Sequence, residues 1–197
     1  MQPISSPIKV LVEGYTDEVV IRRILDYVGL SCGTVYGKEG KAKLLERLPH
    51  YNQAARFAPW VPWLVVVDLD QDADCAPTFI QQILAEQSER LLLRIAVRAI
   101  EAWLLADNEQ MAAFLGVPLK LVPSDPDRER DPKTSLVNLT RRSRRKALVE
   151  DIVPRQKSGA RVGPGYTSRL TEFVTTDKSG WRPEIAMRRS NSLQRCI

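Results

Sequence analysis

Trp63-Leu-Val-Val-Val-Asp68-Leu-Asp70-Gln-Asp72 is an apolar, largely β-branched run that ends abruptly on charge. Residues 63–67 show none of the in-out alternation of a strand with one wet face. They therefore predict a strand covered on both sides, as in a parallel sheet between helices. Ile8-Lys-Val-Leu-Val-Glu13 reads similarly and also stops on an acid. A short strand over 33–36 and a fourth over 91–97 extend the set. Helical signals fill the gaps. After Glu13, Thr16 is an expected N-cap, with Asp17 and Glu18 in the first turn, where carboxylates complement the positive helix end. Val20, Ile21, Ile24, Leu25 and Val28 then recur at helical spacing, and Gly29 closes the helix. A second helix is expected from about Lys41, interrupted at Pro49. A third is expected over 77–90, with Pro77 in its first turn. Strands alternating with helices predict an α/β fold with a mostly parallel sheet flanked by helices.

Beyond residue 98 no strand pattern is convincing. Helical patterns fall at 99–106, 108–115, about 133–149, 165–175 and 183–196, separated by a proline-punctuated polar loop over 122–132. The expected organisation is an α/β core over 1–107 and a basic helical C-terminal extension over 108–197, packed on that core.

Composition narrows the chemistry. The 197 residues are 44% hydrophobic and 27% charged, as in an ordinary globular protein. Residues 1–7 lack the basic stretch and apolar core of a secretory signal. The most apolar segment, 91–106, is broken by Arg94, Arg98 and Glu101, so no membrane partner and a cytoplasmic location are expected. Cys32, Cys75 and Cys196 are scattered, and His50 is the single histidine, read as lying in a loop after Pro49. Thiolate zinc sites, disulfide frameworks and histidine-rich metal centres are thereby disfavoured, which leaves carboxylates, lysines and hard, oxygen-seeking ions. The net charge of +5 is uneven. Residues 1–110 hold 11 Lys and Arg against 15 Asp and Glu, a net of −4; residues 111–197 hold 18 against 9, a net of +9. An acidic site with a basic flank suits a polyanionic substrate.

In open α/β sheets, functional groups gather outside the carboxyl ends of the strands. Glu13 and Asp68 each end a strand, Asp17 lies four residues past Glu13, and Asp70 follows Asp68. Four carboxylates crowded together would repel unless a cation lay between them. One or two Mg²⁺ (or Mn²⁺) ions would relieve that repulsion, and two could clamp both oxygens of a phosphodiester displacement. Helix-capping and turn acids would explain the same residues without chemistry.

The pattern Val12-Glu13-Gly14-x-Thr16-Asp17 followed by Val65-Val-Val-Asp68-Leu-Asp70 resembles the TOPRIM domain of topoisomerases, primases and OLD-family nucleases. The OLD-like branch fits best, because it carries an acid where Asp17 stands. The likeness covers roughly residues 8–100. Further features, in Ala99-Ile-Glu101-Ala-Trp103-Leu-Leu-Ala-Asp107, Gly163-Pro-Gly-Tyr166, Trp181-Arg-Pro-Glu-Ile-Ala186 and Ser192-Leu193, are similar to a small bacterial TOPRIM-like family associated with ABC-type ATPases in phage defence. The resemblance implies a metal-dependent nuclease, or a nuclease subunit, acting on nucleic acid, with DNA the expected form, and an ABC-type ATPase as a candidate partner. It implies Glu13 as metal ligand and acid/base, Asp68 and Asp70 as ligands, Asp17 as a ligand for a second ion, and Glu101 as a further acidic ligand. Asp72 falls outside the tight D-x-D core and reads as a solvated loop acid. Trp103, Leu104 and Leu105 read as core. An oligomer is left open.

Cations would complete such a site. Lys38 and Lys41 lie in Gly37-Lys-Glu-Gly-Lys41, which lacks Walker A spacing; Lys38 is the candidate that would face the acids and stabilise developing charge. Lys41 is a candidate nucleic-acid contact, or part of an ordinary surface turn. Lys157 is a further lysine without an assigned place. Arg141, Arg142, Arg144, Arg145 and Lys146 form the densest basic run, expected on a helix and suited to a phosphate backbone, to an acidic protein or to solvent alone. Rival readings are a non-catalytic TOPRIM-like module that binds nucleic acid or an ATPase, and a haloacid-dehalogenase-like phosphatase, which normally ends its first strand on D-x-D. A manganese-dependent sugar-nucleotide transferase has no further support. An EF-hand is excluded, with Ala73 at the glycine position and Phe79 at the bidentate glutamate.

Overall fold

The computed structural model describes residues 6–177 and 179–197, so residues 1–5 of the segment read for a leader lie outside the described residues. The chain divides into two compact units, residues 1–97 with 195–197, and residues 98–194. The helix expected over 99–106 thus belongs with the second unit.

The first unit is α/β. Its elements run β1 (Ile8–Val12), α1 (Tyr15–Tyr27), β2 (Cys32–Gly37), α2 (Lys41–Phe57), β3 (Trp63–Asp68), α3 (Ala76–Ile83) and β4 (Leu91–Ala96). The four strands form one sheet in the order β2-β1-β3-β4, and all three pairings are parallel. Successive side chains of a strand point to opposite faces. Leu11, Val65, Val67, Leu91, Leu93 and Ile95 share one cluster with Leu44 and Leu48 of α2 and Phe79 of α3. Helix α1 buries Val20, Ile21, Ile24 and Leu25 and packs on β1 and β2. All six residues of β3 are buried, as its unbroken apolar run requires.

Several local expectations are corrected. Helix α1 begins two residues early, with Gly14 as N-cap, and Thr16 is a buried residue inside it. Helix α2 passes through Pro49 without interruption, and His50 is an exposed helical residue rather than a loop residue. An interior proline costs about 3 kcal/mol in lost hydrogen bonding and clash. The stripe of Leu44, Leu48, Asn52 and Ala55, buried on one face, holds the helix together across it. Helix α3 stops at Ile83, short of the expected residue 90. Buried Asn52 explains why: its Nδ2 donates to the Glu86 carbonyl at 2.7 Å and its Oδ1 accepts the Ser88 N–H at 2.8 Å. Those backbone groups would otherwise need helical partners.

The second unit is helical: α4 (Ile100–Ala106), α5 (Asn108–Leu115), α6 (Pro132–Thr140), α7 (Lys146–Ile152), α8 (Tyr166–Thr175), α9 (Pro183–Ala186) and α10 (Asn191–Cys196), whose last residues count with the first unit. Two expected helices are each split. The 133–149 pattern breaks at 141–145, and the 183–196 pattern breaks before Ser190, whose Oγ accepts the Leu193 N–H at 3.2 Å and starts a new helix. Motifs scattered over ninety residues of sequence meet here. The Trp103 indole donates to Ser192 Oγ at 2.7 Å, and the Trp181 indole donates to the Trp103 carbonyl at 3.0 Å. Arg182 grips fully buried Asp107 through Nε at 2.9 Å and Nη2 at 2.7 Å. Trp103, Leu104 and Leu105 are core residues, as expected. Among the described residues no helix is long and apolar enough to cross a membrane.

Candidate functional site

The strand order itself selects a place. From β1 the chain crosses first to β2 on one side and then to β3 on the other, so the direction of winding reverses between β1 and β3. In such sheets the crevice outside the carboxyl ends at this reversal is the natural binding position. Glu13 follows β1 and Asp68 ends β3, which puts both at that crevice.

They are in direct contact. Glu13 Oε1 accepts the Asp68 backbone N–H at 2.8 Å, across 55 residues of sequence. The loop after β2 closes over the same edge. The N–H of Lys38 donates to the Val12 carbonyl at 2.9 Å, and that of Gly40 to the Glu13 carbonyl at 2.9 Å. Gly37 makes this approach feasible. Its φ is +88°, and a Cβ there would stand 2.2 Å from the Val12 oxygen, so only glycine fits. The register pairs Val12 with Gly37, so Glu13 and Lys38, each one residue later, leave the sheet together. Lys38 (φ 70°) and Asp70 (φ 47°) both hold left-handed backbone, two of the three non-glycine residues that do so among those described. Such conformations cost about 1–3 kcal/mol and concentrate where structure serves function.

The charges at this edge are arranged in two groups. Lys41, the first residue of α2, donates to the Asp68 carbonyl at 2.5 Å and reaches Asp70 Oδ2 at 3.1 Å and Asp72 Oδ2 at 2.5 Å. Its ammonium also lies over the Phe79 ring, 5.0 Å from the centroid. Burial works against the charge on Lys41, but the Asp72 and Asp70 carboxylates outweigh it and hold the amine above its ordinary range. Asp72 is an exposed loop acid, as expected, and in addition an ion-pair partner of Lys41. Lys41 points into the acidic edge, with its side chain 16% exposed. Lys38 instead pairs with Glu18 Oε2 at 3.0 Å, and Arg22 meets the other oxygen of Glu18 at 2.9 Å. Burial raises the Glu18 carboxyl, but the Lys38 and Arg22 hydrogen bonds prevail and lower it overall. The Lys38 ammonium also lies 5.4 Å from the Tyr15 ring centroid. Asp17 is buried on the first turn of α1, with Oδ2 3.1 Å from where a Gly14 Cβ would be.

Glu101 belongs to the second unit. It is 2% exposed, its Oε1 accepts from the Tyr166 hydroxyl at 2.9 Å, and Lys133 lies 3.4 Å away. Its Oε2 has no hydrogen-bond partner among the described residues. The Gly163-Pro-Gly165 turn delivers Tyr166 to this position, for a Cβ on Gly163 would strike the Asp151 carbonyl at 2.3 Å. The basic residues Arg141, Arg142, Arg144 and Arg145 occupy the turn between α6 and α7 rather than a helix, and only Lys146 is helical.

Sequence reasoning missed the pairing of Glu18 with Lys38 and of Asp72 with Lys41. The i, i+4 spacing of Glu18 and Arg22 was visible; the two lysine contacts depend on strand register and loop closure.

The donors at the crevice are carboxylate and carbonyl oxygens, which suit a hard divalent ion such as Mg²⁺ or Mn²⁺. Among the described residues, however, no three or more His, Cys, Asp or Glu side chains are drawn together as a ligand group. The positive charge beside Asp70 and Asp72 is the Lys41 ammonium. Searches against protein-family models, curated proteins and solved structures returned no match to the chain.

Proposed function

We propose that the β1/β3 crevice is a metal-dependent phosphodiester-hydrolysing site of TOPRIM type, acting on DNA as a nuclease or as a nuclease subunit. The observation that carries this reading is the 2.8 Å contact between the Glu13 carboxylate and the Asp68 N–H at the winding reversal. Two acids from distant strand ends converge where α/β sheets bind ligands. Glu13 and Asp68 would supply the first ligands of the ion, and Asp17 or Asp70 would have to be drawn in to complete the set, since no three acids are gathered among the described residues. The chemistry such an ion supplies when bound is Lewis-acid polarisation of the phosphodiester and a more acidic attacking water.

The chain's own residues prepare the site. The Asp68 N–H orients the Glu13 carboxylate. Lys41 stays protonated because its neighbours favour the charged form, so it serves as a fixed cation near the phosphate and not as a proton shuttle. Glu18 holds Lys38 in place at the rim.

The test is cleavage of supercoiled plasmid with Mg²⁺ or Mn²⁺ against an EDTA control. Glu13→Gln and Asp68→Asn should each lower the rate at least about a hundredfold, the scale of losing one electrostatic stabiliser. Cleavage that survives in both variants would sink the site. A second reading, a TOPRIM-like module that binds nucleic acid or an ABC-type ATPase without cutting, is favoured by one observation: Lys41 already pairs with both Asp70 and Asp72 and offsets part of their charge. Calorimetric titration with Mn²⁺ separates the two readings. No binding by the wild type, together with uncut plasmid, would select the module.

A further inference from the structure

Residues 141–146 carry five cations in six positions, and their geometry is unlike that of a solvated helix face. Arg141, Arg142, Arg144, Arg145 and Lys146 are all exposed. Elsewhere in the second unit Arg128, Lys133, Arg161, Arg169 and Arg182 each hold an acid. Among the described residues the five cations of the turn hold none, and Glu150, one helical turn past Lys146, makes no ion pair with it. The unit as a whole carries 18 Lys and Arg against 12 Asp and Glu, a net of +6.

The turn is held in shape from within. The Arg142 N–H donates to the Leu139 carbonyl and the Ser143 N–H to the Thr140 carbonyl, both at 2.9 Å. Ser143 alone turns inward: its Oγ donates to the Leu115 carbonyl at the end of α5 and accepts the Arg145 N–H at 2.9 Å. Buried Leu139, Thr140 and Leu148 anchor the two ends. Like charges held this close repel one another, and no internal acid offsets the cost.

We infer that this turn is a metal-independent docking surface for the phosphate backbone of duplex nucleic acid. Four of its five cations are arginines, whose planar forks match phosphate oxygens. Arginines also anchor protein interfaces, but there they work beside a desolvated core rich in aromatic side chains. Among the described residues, none of the exposed large hydrophobics lies in this turn, the nearest in sequence being Leu119. Duplex DNA, by contrast, presents a charge about every 1.7 Å and needs no apolar anchor. Contacts of this kind position a duplex without reading its sequence. The surface goes beyond the hydrolysis reading, since it requires neither Glu13 nor an ion.

The experiment is fluorescence anisotropy of a labelled duplex of about 25 base pairs with the full-length protein in EDTA, between 50 and 200 mM KCl. With each phosphate contact contributing a slope of about −0.9, five contacts predict an affinity loss of about 500-fold across that range, independent of sequence. The triple variant Arg141→Gln/Arg142→Gln/Arg144→Gln should bind more weakly and lose only about 12-fold over the same range. A matched control, Lys120→Gln/Arg128→Gln/Arg188→Gln, removes equal charge elsewhere in the unit and should keep most of the wild-type slope. If the triple variant melts early, single Arg142→Gln and Arg144→Gln variants replace it, each expected to reduce the slope by about 0.9. Equal effects from the control, an unchanged slope in the turn variants, or a preference for polyglutamate over duplex would each overturn the surface. Glu13→Gln, assayed in EDTA, should bind duplex like the wild type. A failure of plasmid cleavage with binding intact would therefore count against the hydrolysis reading alone.

Discussion

Lys41 is the residue on which the charge balance of the crevice turns. Its amine is held above the ordinary lysine range, so its contribution to stability is fully present below that range and is lost as pH rises through the elevated value. Asp70 and Asp72 are 53% and 47% exposed, so solvent screens the pairs and their worth is about 1 kcal/mol. Lys41→Met should therefore be less stable than wild type at pH 8, and the gap should shrink toward zero above the lysine range. Urea denaturation from pH 8 to 12 measures this; a gap that stays constant would show that the ion pairs are not its source. At this scale Glu13, Asp68 and Asp70 were legible because each follows an apolar run that forces a strand to end there. Lys41 was legible as a cation but not as the partner of Asp72, since 31 residues and a loop closure separate them.

At the level of elements, one close approach shapes the crevice. Gly37 lets the β2–α2 loop fold back onto the end of β1, with no room for a side chain. Gly37→Ala should destabilise the protein by at least about 2 kcal/mol, combining left-handed strain with a backbone clash. It should also weaken any activity at the crevice, because Lys38 and Gly40 hang on the same loop. Thermal melting of the variant tests the first expectation, and a melting temperature unchanged from wild type would refute it. In the C-terminal half of α2, Asn52 fixes the 84–90 segment through hydrogen bonds to the Glu86 carbonyl and from the Ser88 N–H. Asn52→Ala leaves the Ser88 N–H unpaired and should cost about 1–3 kcal/mol by urea denaturation. The hydrophobic spacing revealed the elements themselves. Their ends were less visible: Pro49 falsely suggested a break in α2, because propensity is local whereas the Leu44-Leu48-Asn52-Ala55 stripe is held by the sheet.

Across the whole molecule, the two units draw on different kinds of information. In the first, strand order converts two separate motifs into one crevice. In the second, Trp103, Asp107, Tyr166, Trp181, Arg182 and Ser192 come together from distant parts of the chain. Arg182→Ala would remove the counter-charge of the fully buried Asp107 and leave it only the backbone N–H groups of residues 110 and 182, which should cost about 3 kcal/mol. Adding Asp107→Asn should restore part of the loss, and a double variant no more stable than Arg182→Ala alone would show that the charge is not the cause. By itself the sequence determined the α/β alternation, the four strands, the acids at their ends and the uneven charge, because hydrophobic periodicity and chain punctuation are local properties. Only the tertiary structure decided which strands are neighbours, that Glu13 meets Asp68, that Lys41 and Lys38 are drawn to Asp72 and Glu18, and that the basic run is a pinned turn. Those outcomes depend on register and on side chains such as Ser143 and Asn52 capturing distant backbone groups, and no local pattern encodes such captures.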